Sequence, residues 1–505
     1  MNCRRLISGG GRLLRQMCTA ATKPAGLEAK HLPKEVSLLR KLSTLDPTGG
    51  TVSQTLDQCI MEGEVLGKVE LRRCVKELRK YRKFWNALEI MQWMKHSGIT
   101  FSSTDLKLYL DLVSLTRGTD DAEIFFRDLP PQDKNKSTYA AVLNCYCRDL
   151  KEDKALTFFE DMNELDYVTS NRPFNSLMSL YMRLGKPEKV PPLIDNMKQR
   201  KIPITTFAYH IWMSSCASLN DIEGAERVFE EMKREGEDKI NWTIYSNLAA
   251  IYVKAKDFEK AESALKMLEK IARPEEREVY RFLLSLYAGT GNQGEVYRVW
   301  NYLKSVPPVT NKSHLRMLQS LRRLNDIEGL TKCFEEWKSS CINYDMRLVG
   351  TVIRAYLSQG LCEEALSVLE EAIERREGKG PFWRAHEIFA FFYLRKRKED
   401  LALHHLEAAL SEAKDYNRWN HSKVISAFLK YYEEEKIDGV EKLRQIFKNC
   451  NFDESYVTIE ASTNTIKEKE VLGNKLLSPH PLLKEESEIS QGHEDLRADV
   501  HSESE

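Results

Sequence analysis

The chain of 505 residues balances 76 basic against 76 acidic side chains, with 42% hydrophobic and 30% charged residues, the make-up of an ordinary packed, soluble protein. No run approaches 18 consecutive apolar residues, so no segment is predicted to cross a membrane. The eleven cysteines form no Cys-x-x-Cys pair and no His/Cys cluster at zinc spacing; they are read as reduced packing thiols, and neither metal nor cofactor is expected.

Residues 1–27 are predicted to be a targeting peptide. MNCRRLISGGGRLLRQMCTAATKPAG holds Arg4, Arg5, Arg12, Arg15 and Lys23, and the first acid is Glu28. An Arg-rich, acid-free start containing Ser, Thr and Ala is the mitochondrial import pattern, and its arginines favour the mitochondrial matrix over the chloroplast. Residues 28–67 read as a helical lead-in. At the far end, residues 452–505 carry 13 acids and 5 bases. That polar, proline-broken stretch is expected to be disordered. The overall neutrality therefore hides a basic start, an acidic tail and a body between them only slightly basic.

Between these ends, residues 68–451 repeat themselves. STYAAVLNCYCRDLKEDKALTFFEDM, starting at Ser137, is followed about 35 residues later by RPFNSLMSLYMRLGKPEKVPPLIDNM. An aromatic residue or its substitute marks the first helix at Tyr139, Phe174, Tyr209, Tyr245, Tyr280, His314, Val349, His386 and His421. A small or aliphatic residue opens the second helix at Ala87, Ala122, Ala155, Val190, Ala225, Ala261, Val296, Leu330, Ala365, Ala402 and Val440. Two independent markers holding one period of about 35 residues over eleven units predict a solenoid. Each unit is two short helices with a breaker or cap between them, as at Gly185-Lys-Pro187 and Asn220-Asp221. A hairpin of this size cannot bury its own apolar face, so stacking must do so. The expected fold is all-α, a right-handed superhelical solenoid of about eleven helix-turn-helix repeats.

The tetratricopeptide pattern, with Trp and Leu-Gly early in the first helix, does not recur. The units instead resemble the pentatricopeptide repeat. Tyr245-Ser-Asn-Leu248 with Tyr252 matches the first half of that motif, and Glu223-Gly-Ala225 with Phe229 and Met232 the second. The block from Leu56 to Met94 is similar to the start of short plant mitochondrial members of the P class, which lack editing extensions. The resemblance implies single-stranded RNA held by the first helices. It also implies that each unit reads a base through the residue after the marker and the last residue of the unit. Carried over, Asn175 with Thr205 is the pair that fits a reader, followed by His210 with Asn241 and by Ser246. Leu315, Gly350 and Ala140 offer no side-chain hydrogen bond, so base-by-base reading of a long sequence is not expected.

A second register is basic. Nine residues after the marker stand Arg148, Arg183, Lys254, Arg323, Arg395 and Lys430, with Lys80 in the equivalent place of the first unit. Seven bases in eleven units is well above the share that 76 bases in 505 residues would give. Two roles fit: a cation complementing the helix dipole, or a ladder of phosphate contacts. A less regular basic set, Arg172, Lys312, Arg347 and Arg384, lies two residues before the marker. No His-x-Glu with a downstream Cys-x-x-Cys is present, so the zinc deaminase chemistry of editing enzymes is not expected. His404-His405 is read as a solvated pair. The sequence thus points to a non-catalytic mitochondrial adaptor that holds messenger or ribosomal RNA and supports transcript stability, processing or translation. The rival reading is a protein-binding scaffold, such as an accessory subunit of the mitochondrial ribosome, contacting ribosomal proteins.

Overall fold

The computed structural model describes residues 34–45, 51–236, 240–306, 308–341, 343–376, 380, 382–413, 421–435 and 439–450. The targeting peptide and the acidic tail expected from the sequence lie outside these residues. Among the described residues every regular element is helical, and the 24 α-helices pair into twelve hairpins. Eleven of them are the units read from the sequence, from Lys68–Lys80 with Phe84–His96 to His421–Glu435 with Val440–Asn449. The lead-in supplies the twelfth. Its helices Lys34–Thr44 and Val52–Met61 pack against Lys68–Lys80 and Phe84–His96, so it continues the stack.

Contacts divide the chain into two compact units, one running to Ile240 and the next beginning at Asn241. Within each, a first helix packs on its own second helix and on the first helix of the adjoining hairpin. In the first unit Lys136–Arg148 lies between Ser103–Arg117 and Asn171–Leu184; in the second, Met346–Ser358 lies between Asn311–Leu324 and Trp383–Arg395.

The turns inside the hairpins show how local chemistry sets this geometry. Asn220, Lys256 and Asn325 adopt left-handed backbone (φ 60, 62 and 59°), and Gly291 does the same at 80°. The next residue's amide then reaches back across the helix end: Asp221 to Cys216, Asp257 to Tyr252, Asn292 to Tyr287 and Asp326 to Leu321, all at 2.9–3.0 Å. That bond satisfies one of the carbonyls a helix leaves open at its end. The same Asp or Asn side chain caps the second helix, accepting from the amides of Gly224, Lys260, Glu295 and Gly329. Two residues thus close one helix and open the next.

The core is built from the marker positions. Phe174, Tyr209 and Val349 are fully buried, as are Ala155, Ala225, Ala261, Ala365 and Ala402, where a small side chain lets paired helices approach. Trp300, Trp337 and Trp383 fill packing positions, at 3%, 1% and 7% exposure. The indole of Trp337 stacks near Phe334 and donates to Asn311 Oδ1 at 2.9 Å, joining a second helix to the first helix of its own hairpin. Trp337→Ala should therefore destabilise the fold by about 3–5 kcal/mol, the usual range for emptying a buried aromatic site. Urea unfolding followed by circular dichroism should show the midpoint falling accordingly.

Candidate nucleic-acid interface

Charge divides between the two helical layers, and most sharply in the second compact unit. The first helices Asn311–Leu324, Met346–Ser358 and Trp383–Arg395 together hold eight basic residues and one acid, Glu387. Their second helices, Ile327–Ser340, Cys362–Arg375 and Glu399–Ala413, hold twelve acids and three bases. A near-neutral chain therefore presents one strongly positive layer and one strongly negative one. Charge summed along the sequence conceals this, because each unit nearly cancels itself. Counting by helix would have revealed it, together with Arg316 and Arg354, two basic residues of that layer that the repeat register missed.

Six of the seven basic-register residues stand in the last turn of a first helix: Lys80, Arg148, Arg183, Lys254, Arg323 and Arg395. Each complements the macrodipole there. Lys430 is the exception, lying inside His421–Glu435. The same places keep most of these cations at the surface: Lys80, Arg183, Lys254, Arg323, Arg395 and Lys430 are exposed. Lys80 pairs with Glu77, and Lys430 with Glu434 at 3.7 Å. Lys254 and Arg395 make no ion pair among the described residues.

Arg148 departs from the ladder. Its guanidinium donates to Asp111 Oδ1 at 2.6 Å and to Ser114, while the other oxygen of Asp111 takes Arg79 at 2.5 Å. Arg183 in turn donates to the Arg148 carbonyl at 2.8 Å. The result is a chain of charge-assisted bonds across first helices of successive hairpins. Because Asp111 already meets its charge, Arg148 acts as a tie between helices rather than as an available cation.

The base-reading candidates separate in the same way. Among the described residues no donor reaches the Oδ1 of Asn175, an acceptor buried beside Phe174 although the residue as a whole is half-exposed. Thr205 and Asn241 are helix N-caps, accepting from the amides of Ala208 at 3.4 Å and Thr243 at 3.0 Å. Capping chemistry alone therefore accounts for Ser, Thr, Asn or Asp at that register. Ser246 is 8% exposed and returns its hydroxyl to the Thr243 carbonyl at 2.9 Å. Burial pushes the half-buried His210 imidazole down to about 4, so it is neutral at neutral pH.

Other reactive-looking groups are bound up in packing. Nine cysteines among the described residues are free thiols. Burial pushes Cys145 up to about 11 and Cys147 and Cys333 up to about 12, which leaves them unreactive. Cys59, Glu62 and Glu64 bring ligand atoms within 4.8 Å of one another. The ammonium of Lys41 sits among them, 3.6 Å from the thiol and 3.3 and 3.5 Å from the carboxylates. The cluster thus already has a cation of its own.

His405 corrects the reading of a solvated pair. It is 6% exposed, stacks on Phe389, and meets His386 Nδ1 to Nδ1 at 3.0 Å. The marker position of one helix here pairs with an inward side chain of its partner, a contact that adjacency of His404 and His405 in the sequence obscured. One of the two rings donates and the other accepts, which requires both to be neutral or singly protonated as a pair.

The comparisons with known proteins bear on this arrangement. Residues 137–167, 172–202, 207–237 and 348–376 match the family described as PPR repeat. A mitochondrial pentatricopeptide repeat-containing protein of Arabidopsis thaliana is 44% identical over 472 residues, which cover 92% of this chain and 86% of that one. The chain belongs to the pentatricopeptide repeat family. A second mitochondrial pentatricopeptide repeat-containing protein of Arabidopsis thaliana is 42% identical over 442 residues, covering 85% of this chain and 88% of that one. The large ribosomal subunit protein mL101 of the same plant is 37% identical over 410 residues, covering 79% and 83%. Among solved structures, the pentatricopeptide repeat protein PPR10 of maize in complex with an 18-nucleotide RNA element aligns with a TM-score of 0.47 and 17% identity. That alignment covers 85% of this chain and 61% of that one.

The histidine pair makes stability pH-dependent. Burial holds both His386 and His405 down at about 4, below their ordinary 6.5. The unfolded chain thus takes up protons first as the pH falls. Folding stability should be full above about pH 6.5 and decline towards pH 4. Denaturation midpoints measured across that range should fall less steeply in a His386→Gln/His405→Gln variant.

Proposed function

We propose that this pentatricopeptide repeat protein is a non-catalytic RNA-binding adaptor of the mitochondrial matrix, built as a P-class array. It holds single-stranded RNA against its first-helix layer and supports the stability, processing or translation of that transcript. The observation that carries this reading is the segregation of charge: three adjoining first helices with eight bases and one acid turn exposed arginines and Lys312 to solvent. Phosphates neutralising such a row release counterions, which supplies affinity without sequence reading. The mitochondrial relatives agree with the Arg-rich start of the chain.

The half-exposed Asn175 is the residue put forward to read a base, with Thr205 as its partner position; its Oδ1 is buried, so the amide must turn outward to do so. The scarcity of further readers, and the ribosomal relative, favour a second reading in which the bound RNA is ribosomal and the protein an accessory subunit. Crosslinking in isolated mitochondria followed by sequencing separates the two: one messenger footprint supports the adaptor, and ribosomal RNA the subunit.

The phosphate row has its own test. Arg183→Gln/Lys254→Gln/Arg395→Gln should leave the fold intact and lower the slope of log affinity for a single-stranded RNA against log salt by about two. An unchanged slope would restrict these residues to the helix-dipole role.

A further inference from the structure

We propose that a groove in the second-helix layer of the first compact unit binds a basic segment of another protein, seating a lysine side chain on the indole of Trp212 among carboxylates. The groove lies between the second helices Val190–Gln199 and Ile222–Glu235, and its floor comes from the first helix Thr206–Ser218. It belongs to the second-helix layer, not to the first-helix layer proposed for RNA.

The floor is apolar and the rim is charged. Trp212 is half-buried, and Cys216 and Val228 beside it are buried. The groove holds about 730 Å³, within the usual range of ligand sites. Its rim carries five carboxylates, Asp221, Glu223, Glu226, Glu230 and Glu231, against three bases, Lys198, Arg227 and Arg234. A phosphate chain would meet that surplus of acids with repulsion, so the rim selects a cationic occupant.

The chain already places one such group there. The ammonium of Lys198 lies over the Trp212 ring, 4.6 Å from its centroid, and pairs with Glu231 at 2.7 Å. An ammonium on an aromatic face is an established mode of cation recognition, and the neighbouring carboxylate adds to it. The Lys198 side chain is 40% exposed, so it can turn out to solvent and yield the ring to an incoming lysine. Arg227 holds Asp221 and Glu223 only loosely, at 3.5 and 3.9 Å. Exposed pairs of this kind rearrange at little cost.

Length favours a protein segment over a free amine. The lining runs from Pro191 and Asp221, at the starts of the two second helices, to Lys198 and Arg234 near their ends. Asp221 and Arg234 are thirteen residues apart, a rise of about 20 Å along the helix. That is the span of about six residues of extended chain, in which alternate side chains share one face. A segment with lysine at every second position would turn all of them towards the rim.

The test uses the full chain and a fluorescein-labelled peptide of alternating lysine and alanine, titrated by anisotropy, with a labelled single-stranded RNA measured alongside. One-to-one binding of the peptide is expected. Trp212→Leu should weaken it roughly fivefold, and Glu223→Gln/Glu230→Gln by a similar factor, while RNA affinity stays within about twofold. Lys198→Gln should tighten the peptide about threefold by clearing the ring, whereas Lys332→Gln, an equal loss of charge far from the groove, should leave it unchanged. Melting curves check that the variants fold, and the Lys198 comparison decides the matter should Trp212→Leu prove unstable. Failure of the peptide to bind overturns the proposal. Equal effects of Lys198→Gln and Lys332→Gln reduce the binding to diffuse charge and overturn it too. Complete displacement of the peptide by spermine at an equal concentration of ammonium groups, or by the RNA, gives the groove to another occupant.

Discussion

Everything in this molecule depends on a hairpin being unable to bury its own apolar face. A pair of helices of 9 to 15 residues leaves part of its hydrophobic stripe bare, and only a neighbour of the same kind can cover it. The fully buried Phe174, Tyr209 and Val349, and the alanines that open second helices, are the points at which this demand is met. Once stacking is obligatory, equivalent residues of successive units must fall side by side. Any charge placed at one register becomes a row, whatever else it does.

That multiplication turns weak preferences into a surface. A cation at the end of one helix contributes only about 0.3–1 kcal/mol to that helix. Repeated through adjoining hairpins, with most of the acids on the opposite layer, it produces a field that a polyanion would meet as a whole. The exception clarifies the rule. Asp111 stands in the middle of a first helix and draws Arg79 and Arg148 to itself, so that this part of the row is consumed in holding helices together.

The hairpins, their period and their turns were legible in the sequence, because each rests on residue type at a fixed spacing. Asn220-Asp221, Lys256-Asp257 and Asn325-Asp326 announce a closing and an opening cap, and they form both. The site was less legible. Arg148 and Arg183 share a register, yet one is tied to Asp111 and the other only to a carbonyl, a difference made by an acid 37 residues away from the first. His386 and His405 gave no warning of each other either, since their contact depends on how two helices face. The layered charge was present in the letters but cancels in any sum taken along the chain.

Thr205 and Asn241 start a helix with the same side chains that are proposed to meet a nucleobase. Exchanging either for a residue of different recognition chemistry also unpins the first turn beneath it. The alphabet open to such positions is thereby narrowed to side chains that can do both jobs. Retargeting an array of this kind towards a new transcript would mean trading robustness for selectivity, unit by unit.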